Sequence, residues 1–179
     1  MTNSLEANGN VEMVTGLFKD SESVERAYEV VSERDYGTAD INVVMSDDTR
    51  KRYFADDRPI NTELGRKIEE GGELGGPTGG RIGMLIPAII AVGVVALPGL
   101  GLILAGPVAV ALAAAGAAGV AVGLAGALSD WGIPEERAKQ YEKAIHDGGI
   151  LMGVRPRSDE DARYFVQRWK VIGAQHLHT

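Results

Sequence analysis

From Ile82 to Ser129 the chain carries no charged side chain, and that stretch limits what the whole molecule can become. Its text is almost entirely Gly, Ala, Val, Leu and Ile, interrupted by Pro87, Pro98 and Pro107. Such a surface has to be hidden from water, in lipid or inside an assembly. As one straight helix it would run about 70 Å, more than twice the roughly 30 Å hydrocarbon thickness of a bilayer. The segment is therefore expected to fold back on itself. Pro98-Gly99-Leu100-Gly101 supplies the turn chemistry, a fixed φ beside glycines that accept positive φ. The resulting expectation is a helical hairpin, one arm over 82–97 and the second over 102–128. In the second arm Ala115, Gly119, Gly123 and Ala127 recur every four residues and form a smooth helix-packing strip. Leu85, Ile86, Ile89, Ile90, Val94 and Val95 supply bulk to lie against it. A loosely specified Ala/Gly-rich connector is the plainer alternative.

Charge is uneven around this segment. Residues 1–81 hold 10 basic and 17 acidic groups, residues 130–179 hold 8 of each, and the formal net charge is −7. An acidic chain without a basic cluster is a poor nucleic-acid binder, because that affinity comes largely from neutralised phosphates. Cysteine is absent, which excludes disulfides, thiol nucleophiles and cysteine-held metals. Residues 1–10 are polar and read as a disordered N-terminus rather than a signal peptide.

The flanks alternate strand and helix. Val11–Phe18 reads as a strand. Asp20 or Ser21 caps a helix whose stripe is Val24, Ala27, Tyr28 and Val31. Ile41–Met45 reads as a second strand, so residues 11–46 form a β-α-β unit. Residues 47–81 form a polar, Gly-rich tether, with short helices expected at 47–54 and 62–71. After the apolar segment, Pro134-Glu135-Glu136 starts a helix striped by Ala138, Tyr141 and Ile145. Ile150–Val154 is a strand, and Ser158 with Asp161 resembles a capping box. Ala162, Phe165, Val166 and Trp169 stripe the next helix, and Ala174–His178 closes as a strand. The ends echo each other at an offset of 137: Gly16 with Gly153, Ser21 with Ser158, Tyr28 with Phe165. Residues 11–46 and 130–179 are thus expected to join as an α+β, ferredoxin-like sandwich of two β-α-β units, interrupted by the apolar helical hairpin over 82–129.

Both halves then have to lie on one side of any membrane, which a two-pass hairpin permits. The expected location is cytoplasmic, associated with the inner membrane. The expected partners are further copies of the chain and the lipid bilayer, with no nucleic acid.

The run VTGLFKDSESVERAYEVVSERDYGTADINVVMSDDTRKRYF resembles the opening of bacterial general stress proteins, the heat-induced stress protein domain. WGIPEERAKQYEKAIHDGGILMGVRPRSDEDAR resembles the closing half of the same group, whose members commonly carry a Gly/Ala-rich apolar insert. The resemblance implies a stress-related protein and carries over no catalytic residue.

Reactive constellations are sparse. His176 and His178, on one face of the last strand, could share a metal, with His146 as a third ligand; exposed edge-strand histidines are the plainer reading. Asp47-Asp48 and Asp56-Asp57 border basic residues and read as solvated charge. The glycines at 71–83 lack the Gly-Lys-Ser/Thr ending of a phosphate loop, and no Ser stands in a G-x-S-x-G elbow. No catalytic, cofactor-binding or metal-binding residue is therefore assigned. The expectation is a non-enzymatic protein acting by membrane insertion or self-association. A soluble homo-oligomer that buries its hairpins and a small-molecule-sensing module are the alternatives.

Overall fold

The computed structural model describes residues 12–54, 85–97, 99–114, 124–129 and 131–179. The expected disordered N-terminus, most of the tether and its helix at 62–71 lie outside the described residues.

Strand β1 (Val14–Phe18) leads into α1 (Ser21–Ser32). Asp20 caps that helix, its side chain accepting from the Ser23 N–H at 2.8 Å. A short 3-10 turn precedes β2 (Ile41–Ser46), and α2 (Asp47–Phe54) follows at once. The apolar segment contributes α3 (Leu85–Val92), β3 (Val94–Leu97), β4 (Leu102–Ala105), α4 (Pro107–Ala114) and α5 (Leu124–Ser129). The chain closes with α6 (Glu135–His146), β5 (Ile150–Val154), α7 (Asp159–Ile172) and β6 (Gln175–His178). Helix α7 has Ser158 as its cap and Gly173, at φ +97°, as its stop.

The six strands form one sheet in the order β3-β4-β2-β5-β1-β6, every neighbouring pair antiparallel. Strands β1 and β2 therefore run parallel with β5 between them, and β5 and β6 run parallel with β1 between them. Each β-α-β unit inserts a strand into the gap of the other, so the two ends of the chain cannot form their sheets separately. The fold is α+β with helices on both faces.

Alternation along the strands sorts the core. On the first face Val14, Phe18, Ile41, Val43, Met45 and Met152 meet α1 and α7. Phe18 stands edge-on to Trp169 with centroids 5.5 Å apart, and the Trp169 Nε1–H donates to Ala27 O at 3.0 Å. On the second face Leu17, Val44, Leu102, Leu104 and Leu151 meet Trp131, Tyr141 of α6 and Leu124 of α5. The Gly153 position is bounded by the second tryptophan: a Cβ there would lie 2.6 Å from the Trp131 ring and 2.8 Å from Met13 Sδ.

The apolar segment differs from the expected pair of helical arms. Residues 94–97 and 102–105 are strands, and the helices beside them are short. The physical reason is that a short all-apolar run satisfies a helix and a buried strand equally well. What decides here is that β2 has an open side. Strand β4 fills it, from Val43↔Ala105 to Ser46↔Leu102. Val94 and Val95 are β-branched and suit the pleat. The segment also contributes to both cores: Ile89 sits in the first-face core, and Leu102, Leu104, Ala109, Leu124 and Leu128 sit in the second. Among the described residues no helix is long and apolar enough to cross a membrane.

Candidate association edge

The apolar segment is keyed into the sheet at one joint. Gly106 leaves β4 at φ +115°, and a Cβ there would come within 2.4 Å of Ile41 O. The left-handed φ and the close approach both demand glycine. Beside it, the buried Asn42 side chain accepts from the Val108 N–H at 2.9 Å and caps α4 from across the fold. The turn ahead of β4 is tied as well, the Asp47 N–H donating to Gly101 O at 2.9 Å. Next to that contact the Asp47 carboxyl is held below the usual carboxylate range, by its hydrogen bond to Lys51 foremost and then by Arg50.

These contacts position β3 as the outermost strand. The Gly106 N–H donates to Gly93 O at 2.9 Å, which sets the ladder phase between β3 and β4. Antiparallel pairs alternate between exchanging hydrogen bonds and not. Given the Val95↔Leu104 and Leu97↔Leu102 pairing, the N–H and C=O of Val95 and Leu97 point inward. Those of Val94 and Ala96 point out of the sheet, without a partner among the described residues. The edge is also uncharged and apolar. Val92 is 38%, Val94 45% and Val110 46% exposed, and Ala91, Ala96 and Ala111 are exposed beside them. An apolar edge strand of this kind is a template for another strand.

Gly99 and Gly101 lie in the β3–β4 turn with φ +79° and +63°, where nothing stands within 4 Å of either Cβ position. Pro98, Ala115, Gly119 and Gly123 lie outside the described residues, and Ala127 falls within α5. The strip is not brought together with the turn in anything the structure describes. The sequence reading missed the edge itself. Its signal is the β-branched pair Val94-Val95 between Gly93 and the Pro-Gly turn.

His176 stands edge-on to Tyr141 with ring centroids 6.2 Å apart, and His178 Nε2 lies 3.4 Å from Gly132 O. Among the described residues no group of three His, Asp or Glu side chains is placed to hold a metal ion. An open cleft of about 450 Å³ runs along α7, with Glu12, Asp159, Arg163 and Gln167 on its walls. Comparison with family models, with curated proteins and with solved structures finds no match.

Proposed function

We propose that this chain is a non-enzymatic stress-response protein whose apolar segment holds copies of it together. The observation that carries this reading is β3: an outermost, uncharged strand with outward backbone groups and exposed Val92, Val94 and Val110 around it. The link to stress rests on the resemblance of residues 14–54 and 131–163 to general stress proteins. We also read β2-β5-β1-β6 with α1 and α7 as a ferredoxin-like sandwich that the β3–β4 hairpin extends. Two interlocked split β-α-β crossovers support that assignment.

Self-association is favoured over burial of this edge in lipid, because hydrocarbon offers no partner to outward N–H and C=O groups. The test is sedimentation of the full chain from freshly lysed cells, with and without mild detergent, followed by flotation on a lipid gradient. The expected result is a species larger than the 18.9 kDa chain that sediments alike in both conditions and does not float. A protein that floats and is released by detergent makes the edge a membrane contact instead. A monomer that does neither overturns the reading.

A further inference from the structure

We propose that a second copy of this chain pairs antiparallel along β3, about a two-fold axis passing between Val95 and the partner's Val95. The inference rests on the self-association proposed above and supplies its register.

Only Val94 and Ala96 present outward groups, one N–H and one C=O each. Three two-fold registers bring outward residues face to face. Placing Val94 against the partner's Val94 satisfies that residue but sets Ala96 against the partner's Val92, which belongs to helix α3. Placing Ala96 against the partner's Ala96 sets Val94 against the partner's Pro98, which has no N–H to give. Placing Val94 against the partner's Ala96 repeats itself by symmetry and uses all four outward groups of each strand. Val95 then meets the partner's Val95 as a pair that exchanges no hydrogen bonds.

Side chains agree with that register. Directly opposed residues share a sheet face, so the exposed Val94 packs beside the smaller Ala96 of the partner, twice over. No charge lies between residues 82 and 129, so β3 and the residues that flank it in the chain set no like charges against each other across the axis. Such a contact is isologous and closes on itself. Two six-stranded sheets become one continuous sheet.

The chain has no cysteine, so single substitutions read the register directly. Facing Val95 positions stand about 4.5 Å apart between Cα atoms in a pair without hydrogen bonds, within disulfide reach. In the same register the two Val94 positions are offset by two residues each way and stand about 8 Å apart, beyond that reach. Under a mild oxidant, full-length V95C is expected to run mostly as a covalent dimer on a non-reducing gel. V94C alone and A96C alone are expected to stay monomeric, and an equimolar mixture of the two to cross-link.

If V95C does not cross-link while the unmodified chain sediments as an oligomer, the register is wrong and self-association stands. If the unmodified chain is a monomer, both fall. Cross-linking of V95C only to an unlike protein assigns the edge to another partner and also overturns the proposal. Should V95C fail to fold, V94K provides a second reading at a largely exposed position. Its far-UV circular dichroism is expected to match that of the unmodified chain while self-association weakens at least about tenfold. A folded V94K that associates normally overturns the proposal.

Discussion

The sheet has two outer strands, and they are treated oppositely. Strand β6 is guarded. It meets β1 only at Thr15↔His178 and Leu17↔Gln175, with a register shift between, and His176 sits at φ +51°. Three of its four side chains are polar, and two of its carbonyls are claimed by side chains of α6: Tyr141 Oη–H donates to His176 O, and Arg137 Nη1 donates to Leu177 O at 3.4 Å. Irregular pairing, polarity and capped carbonyls are how proteins keep an edge from recruiting another strand. Strand β3 has none of these. Its ladder to β4 is regular, its side chains are apolar, and Val94 and Ala96 direct their backbone groups outward. One fold guards one edge, and among the described residues nothing covers the other, which is the contrast the proposed association uses.

The comparison breaks most completely at Gly106. Gly106→Val adds a clash with Ile41 O and a side chain at positive φ. The expected loss is about 3 kcal/mol, with β3 and β4 released from β2. Denaturant unfolding checks the magnitude. Sedimentation checks the corollary that what still folds no longer associates.

A smaller change tests the guarded edge. Tyr141→Phe removes the hydroxyl that meets both Thr15 Oγ1, at 3.3 Å, and His176 O. A loss of about 1 kcal/mol is expected, with faster hydrogen exchange in β6 and none of the change in β3. If exchange accelerates at both edges alike, the tyrosine is merely a core residue and the guard lies elsewhere.

The smallest effect is that of pH on the bare edge. The Asp47 carboxyl is held low by Lys51 and then Arg50, so the stability it lends is present above the usual carboxylate range. That contribution is lost as pH falls through the depressed folded value. Below that point α2 and the Asp47–Gly101 tie are expected to loosen before β6 does. Amide exchange at Asp47 against Leu177 across an acid titration reads the order. Asp47→Asn is expected to flatten the difference.

Most flanking elements were legible because each carries its own local signal. Asp20 and Ser158 cap their helices. Ala138, Tyr141 and Ile145 sit at helical spacing and are all buried. The pair His176 and His178 was legible as an edge strand, but its irregular pairing was not, because a left-handed residue other than glycine leaves no sequence signature. The echo between Gly16 and Gly153 marks two adjacent strands, β1 and β5, each giving up a side chain to let a tryptophan close against it, Trp169 on one face and Trp131 on the other.

By itself, the sequence determined that one segment must be hidden, that its flanks are two β-α-β units, and that the chain turns at Pro98–Gly101. Those properties come from composition, periodicity and turn chemistry, which act within a few residues. Only the tertiary structure decided that the apolar runs on either side of that turn are strands, since helix and strand bury them equally well. The unfilled side of β2, the Asn42 cap on α4 and the space Gly106 leaves at Ile41 O make the choice, and they reach across as many as 66 residues of chain. The bare edge follows from that choice, because a strand acquires an outer side only once a sheet stands beside it.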